Sequence, residues 1–232
     1  VSRRNIRKGY RQQTRWLIGG VLIIIAVAAG LIALSLATNR PSSAQASAAP
    51  MPSALDACGG PVCGQATAPV TIEVYADFQC PYCARADIVL QQVASQYIET
   101  GKVRLEYNNF PIIGPESQTA AQAAECAADQ GKFWSYADYL FANQAAENSG
   151  TLTVNHLEQI AATLGLDSST FNTCLTSGKY ASLVQQQYSQ GQQRGVTATP
   201  TLFINGKKYE GAPTYDQLVA DIAAAQPAAQ TK

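Results

Sequence analysis

The segment Asp77-Phe78-Gln79-Cys80-Pro81-Tyr82-Cys83 constrains this chain more than any other, because two closely spaced cysteines sit where a strand gives way to a helix. Upstream, Val70 to Phe78 is rich in β-branched and aromatic residues, with Pro69 ahead of it, and predicts a strand. Downstream, Ile88, Val89, Val93 and Tyr97 recur on one face between Ala84 and about Glu99, a helix that Gly101 stops. Val103-Arg104-Leu105-Glu106-Tyr107 alternates and predicts the next strand.

A pair of this spacing is a redox dithiol, a structural disulfide or half of a zinc site. Zinc needs a second such pair or histidines at ligand spacing, and the single histidine, His156, falls in a distant predicted helix. The strand-to-helix setting is that of a redox dithiol, with no metal and no bound cofactor required. Cys80 then lies at the helix N-terminus, where free N–H groups and the helix dipole favour a thiolate. Cys83 lies one turn inward, placed to close or resolve a disulfide, and Pro81 takes an early helical position that needs no N–H. Glu73 and Asp77, close in sequence, are candidates for proton transfer, or else exposed or structural carboxylates.

The rest of the chain sorts around this unit. From about 116 to 193 the pattern turns helical. It contains an Ala120/Ala123/Ala124/Ala127 face, an aromatic segment from Phe133 to Phe141, and a third helix with Thr153 as its cap. Two more follow, around Phe171–Leu175 and Tyr180–Gln190. Strand character returns over Thr201–Ile204, Asn205-Gly206 predicts a type I′ hairpin turn, and a last helix covers about Tyr215–Ala225. Strands at both ends with helices between them indicate one α/β domain carrying a helical insertion, since neither half could cover its own sheet.

The formal net charge of zero hides a segregation. Residues 1–40 hold seven basic and no acidic residues, which leaves nine basic against sixteen acidic for the remainder. The acidic part gives no electrostatic reason to expect nucleic acid. Leu17 to Ala37 is an uncharged run of 21 residues, long enough as a helix to cross a hydrocarbon core of roughly 30 Å. The basic head at 1–16, with Trp16 at its end, orients that run with its N-terminus cytoplasmic and the domain outside. The competing reading is a cleaved signal peptide, with Ala44-Gln45-Ala46 as the processing site. Residues 38–65 read as a tether, leaving the domain at 66–230.

All six cysteines fall on the exported side, where disulfides persist. Cys126 and Cys174 occupy apolar helix faces, as a structural disulfide or two adjacent thiols. Cys58 and Cys63 flank Gly-Gly-Pro-Val and admit a local disulfide, a redox relay or free thiols.

The 77–83 segment resembles the active-site segment of the DsbA-like thioredoxin-fold family, and Gly195 through Phe203 resembles the loop that carries its cis-proline. Ala124-Glu125-Cys126-Ala127 and Gly131-Lys132-Phe133-Trp134 are similar to its insertion helices. The resemblance covers roughly 66–225 and implies a thioredoxin-like fold with an inserted helical subdomain. It implies a thiol–disulfide oxidoreductase with Cys80 and Cys83 catalytic, Pro200 cis and Thr199 offering backbone hydrogen bonds to a bound polypeptide. From the residues alone, the ordinary expectation for Pro200 is a trans proline starting a strand. The implied partners are exported cysteine-containing polypeptides and a membrane oxidase of DsbB-like or vitamin-K-epoxide-reductase-like type. Tyr82 departs from the histidine found there in the family's strong oxidant, so the redox potential does not transfer. The alternatives are a reductase or isomerase kept reduced, or a peptide-binding assembly module.

Overall fold

The computed structural model describes residues 55–226. The basic head, the apolar run at 17–37, the Ala44-Gln45-Ala46 motif and residues 38–54 of the expected tether lie outside the described residues. Among the described residues, no helix is long and apolar enough to cross a membrane.

Two strands of largely alternating burial lie side by side within the sheet. β2 (Val70–Ala76) buries Val70, Ile72 and Val74, and β3 (Val103–Asn109) buries Val103, Leu105 and Tyr107. They pair in parallel, Val70 opposite Val103 and Val74 opposite Tyr107. Such a pairing needs a crossover, and α1 (Pro81–Val93) supplies it, running on through a π-helical turn at Ala94–Ile98. β4 (Thr201–Ile204) lies antiparallel on the other side of β2, Ile72 opposite Ile204. β5 (Lys207–Glu210) folds back through Asn205-Gly206, both at positive φ as a type I′ turn requires.

The fifth strand, β1 (Val62–Cys63), is a departure from expectation. It pairs antiparallel with β3, giving the order β1-β3-β2-β4-β5. Leu55 is fully buried and Cys63 nearly so. The segment expected to be tether up to residue 65 is therefore packed into the domain from at least Leu55. Two residues of strand among glycines and prolines carry no periodicity; their partner is some 40 residues away and invisible locally.

Five helices fill the space between β3 and β4: α2 (Pro115–Ala128), α3 (Phe133–Ala142), α4 (Val154–Thr163), α5 (Ser168–Thr176) and α6 (Ala181–Gln193). The alanine face of α2 is buried throughout, as are Phe133, Trp134 and Phe141 of α3. Thr153 caps α4 by accepting from the His156 N–H. Cys126 and Cys174 form a disulfide between α2 and α5, their Cα atoms 5.9 Å apart. The final helix α7 (Tyr215–Ala225) starts with a reciprocal cap between Thr214 and Gln217.

Behind the disulfide, Glu125 is buried and accepts from Asn109 Nδ2 at 2.7 Å, joining α2 to β3. Burial pushes its carboxyl up from 4.5 to about 7, against the opposing hydrogen bonds of Asn109 and Gln187. A raised folded pKa means that the neutral acid's stability advantage is complete below pH 4.5 and lost as pH rises through about 7. Glu125→Gln is expected to remove this decline, flattening urea-denaturation stability across that window. Replacing both Cys126 and Cys174 by Ala should cost about 2–4 kcal/mol in the same measurement.

Candidate functional site

The site forms where β2 ends and α1 begins. Cys80 is the N-cap of α1, in extended conformation, and Pro81 starts the helix. The backbone N–H groups of Cys83 and Ala84 both donate to the Cys80 carbonyl, at 3.0 and 3.3 Å. Both cysteines are free thiols; Cys80 is 6% and Cys83 2% exposed. Tyr82 between them is 57% exposed, with the Arg85 guanidinium 5.0 Å from its ring centroid.

The loop before β4 closes over this turn. The Thr199–Pro200 peptide bond is cis, and the Cys80 thiol donates to the Thr199 carbonyl at 3.3 Å. The structure thus brings together Cys80, Pro81, Tyr82, Cys83, Thr199 and Pro200, which lie some 120 residues apart in two segments.

The two sulfurs have opposite electrostatics. The neighbouring Cys83 thiol, a hydrogen bond from Thr199, and the N–H groups of Cys83 and Tyr82 hold the Cys80 thiol down to about 6, burial opposing them. Burial pushes the Cys83 thiol far up, and the Cys80 charge beside it adds to the effect. The Asp77 N–H donates to the Cys83 sulfur at 3.5 Å. One sulfur is a nucleophile and good leaving group; the other holds its proton.

The Asp77 carboxyl is committed to the loop itself. It accepts from Gln79 N–H, Ser117 Oγ–H and the N–H groups of Ile112 and Ile113, at 2.6–2.9 Å. Glu73 lies apart from the sulfurs, paired with Arg194, whose guanidinium also stacks 3.9 Å from the Phe203 ring centroid. Cys58 and Cys63 are disulfide-bonded. Cys63 stands opposite Leu105, which stands opposite Ile72, so the bridge lies two strands over and well down the sheet from Cys80. Among the described residues, no group of three metal-ligating side chains forms.

Several supports are absent from the sequence reading. Gln144 Nε2 donates to both the Phe78 and Cys80 carbonyls, at 2.8 and 3.0 Å. Gln79 donates to Ser117 Oγ at 2.8 Å and accepts from the Asn148 N–H at 2.6 Å. These amides come from loops far along the chain, and no local pattern marks them. Asp87, buried one turn beyond Cys83, is likewise unannounced.

A folded pKa lowered from 9.0 to about 6 gives the reduced protein stability that is complete above pH 9.0 and lost as pH falls through about 6. Thiolate ultraviolet absorbance of the reduced protein should therefore show a first midpoint at about 6 that Cys80→Ser removes. The stability difference between reduced protein and that variant should shrink over the same interval.

The sequence profile of the Thioredoxin family matches residues 56–224. The chain is 34% identical over 164 residues to the Na(+)/H(+) antiporter NhaA 3 of Salinispora tropica, covering 70% of this chain but spanning only 24% of that protein. It is 31% identical over 160 residues to the probable disulfide bond formation protein D of Bacillus anthracis, covering 67% of this chain and 73% of that one. The crystal structure of oxidised BdbD from Bacillus subtilis superposes with a TM-score of 0.66 at 27% identity, over 72% of this chain and 93% of that one. The extent of these matches, together with a cysteine pair at a helix N-terminus facing a cis-proline, places the chain in the thioredoxin family, among its DsbA-like members.

Proposed function

We propose that this protein is an extracytoplasmic disulfide donor. A thiolate of an exported polypeptide attacks the Cys80 sulfur of the Cys80–Cys83 disulfide, and Cys83 leaves and is protonated. A second client thiolate then attacks the client sulfur of the mixed disulfide, expelling Cys80 as a thiolate. The client gains one disulfide and the domain gains two electrons as its dithiol.

The observation that carries this reading is the placement of Cys80 at the N-cap of α1 against the cis Thr199–Pro200 bond, a setting that holds its thiol down to about 6. A leaving group of low pKa departs fast, and stabilising the thiolate stabilises the reduced protein, which favours giving the disulfide away. Cis-Pro200 and Thr199 flank Cys80 and present backbone to an extended client strand, while exposed Tyr82 and Ile112 offer apolar contact beside it. The name of the Bacillus anthracis relative, a probable disulfide bond formation protein, agrees with this direction.

Placement outside the membrane is supported by the basic head and apolar run at 1–37, and by two disulfides remote from the site, which need an oxidising compartment to persist. The Cys58–Cys63 bridge acts as a local clip on the β1 turn. The dithiol is returned to its oxidised form by a membrane oxidase of the DsbB-like or vitamin-K-epoxide-reductase-like type.

Cys83→Ala expressed in cells should accumulate mixed disulfides through Cys80, resolved by reducing and non-reducing gels with mass spectrometry. Exported proteins and a membrane oxidase among the trapped species are the expected result. Recovery of neither, or of the same species from Cys80→Ser, contradicts the reading.

A further inference from the structure

The loop over residues 195–200 holds Thr199 and Pro200 against Cys80, yet little in the loop itself could keep it there. Thr197 and Ala198 are exposed, Thr199 is half-buried, and Gly195, at φ 75°, turns the chain out of α6. A loop whose own side chains face solvent is placed by the scaffold that closes its two ends.

Arg194 stands at the first of those ends. It is the C-cap of α6, and its guanidinium crosses the base of the loop to β2 and β4. Both terminal nitrogens donate to the Glu73 carboxylate, Nη2 to Oε1 at 3.0 Å and Nη1 to Oε2. Nη1 also donates to the Tyr75 hydroxyl at 3.1 Å. The guanidinium carbon lies 3.9 Å from the Phe203 ring centroid and 5.6 Å from that of Tyr75. In the sheet Glu73 stands opposite Phe203 and Tyr75 opposite Thr201, so one guanidinium engages two neighbouring cross-strand pairs. It ties residue 194, just before the loop, to residue 203, just after it.

The surroundings make that tie stiff. Gly191, three residues earlier, packs so closely that a Cβ there would lie 2.7 Å from the Phe110 ring and 3.0 Å from that of Tyr75. Tyr75, Phe110, Val196 and Phe203 form a small buried cluster of their own, apart from the main core. The nearby cation Lys208 is engaged elsewhere: its Nζ donates to the Gly195 carbonyl at 2.5 Å and pairs with Glu210. Arg194 and Glu73 are both half-buried, and an ion pair so open to water adds little stability by its charge alone. A bidentate, stacked fork does fix direction as well as distance.

The path from this pair to the reactive sulfur runs through rigid elements. β2 carries Glu73 and Tyr75 and leads into the Asp77 turn that presents Cys80, while β4 begins at Thr201, next to Pro200. At the far end of the loop, Thr201 Oγ1 donates to the Ala198 carbonyl at 2.7 Å and the Gly211 N–H to that of Pro200 at 2.9 Å. Between these two anchorages the Cys80 thiol meets the Thr199 carbonyl, at 3.3 Å.

We propose that Arg194, held by Glu73, is a positioning residue for the exchange, fixing the 195–200 loop so that Thr199 and Pro200 face Cys80 and a client strand docks in one register. Arg194 acts through the loop and not on the sulfur itself. This rests on the thiol exchange proposed above, and it gives Glu73, which stands apart from the sulfurs, a role in that exchange.

The test compares the unmodified protein with Arg194→Met, which keeps an apolar stem for Phe203 and loses the fork. Two quantities are read: the thiolate absorbance midpoint of Cys80 in the reduced protein, and kcat and KM for oxidation of a dithiol peptide with glutathione disulfide as terminal oxidant. With the loop released, the Thr199 hydrogen bond that favours the thiolate weakens, and the midpoint is expected to rise by about 0.5 pH unit or more. KM is expected to rise, lowering kcat/KM about tenfold or more. Arg194→Lys keeps the charge without the fork and is expected to fall between the two. It takes over as the test if Arg194→Met does not fold, with both readouts unmoved then overturning the proposal. Adding Glu73→Gln to Arg194→Met is expected to do no more than Arg194→Met alone, because the two residues act as one unit.

A midpoint unmoved by Arg194→Met, or kcat/KM lowered less than tenfold, leaves the pair a part of the fold only and overturns its positioning role. Failure of the unmodified protein to oxidise the peptide, while Arg194→Met still moves the midpoint, would instead overturn the exchange on which the role rests.

Discussion

The N-terminus of α1 imposes the condition that everything else in the site serves. A helix start leaves backbone N–H groups short of partners, and Cys80 occupies that cap, where the first turn of α1 favours its thiolate. The field they create is useful only if the sulfur stays at that spot. Asp77 fixes the preceding turn from inside by gathering two backbone N–H groups from 112–113 with Gln79 and Ser117, and Gln144 holds the Phe78 and Cys80 carbonyls. The helical insertion contributes through these contacts: Ser117 lies on α2, and Gln144 and Asn148 follow α3.

That arrangement makes the dithiol asymmetric by placement. Two identical side chains three residues apart differ because one caps a helix and the other is buried in a largely apolar pocket that includes Val74, Ala76, Leu90 and Phe141. The same burial that keeps Cys83 from clients makes its proton hard to remove. Low dielectric strengthens the effect of each N–H on Cys80 and raises the cost of any uncompensated charge at Cys83.

Much of this was legible in the sequence because it is local. Strand, turn and helix around residues 70–107 each carry their own periodicity, the Asn205-Gly206 turn needs two positive φ angles, and Thr153 and Gly101 mark helix ends. What was not legible depends on distant meetings. β1 is two residues long and exists only against β3. Leu55 looks like part of a tether until the core closes over it. Gln79, Ser117, Gln144 and Asn148 are ordinary polar residues whose roles arise when loops converge. Asp87 sits on an amphipathic helix with nothing in its neighbours to signal burial beside Asp138. Glu73, near the cysteines in sequence, belongs instead to the Arg194 pair, because a residue's side of the sheet decides its neighbours more than its distance along the chain.

The central claim is that one cysteine is the reactive thiolate and the other is shielded. Brief alkylation of the reduced protein with iodoacetamide at neutral pH, followed by peptide mass spectrometry, tests it directly. The account predicts modification at Cys80 with Cys83 unmodified until the protein is denatured. Equal labelling of the two, or preferential labelling of Cys83, would contradict it.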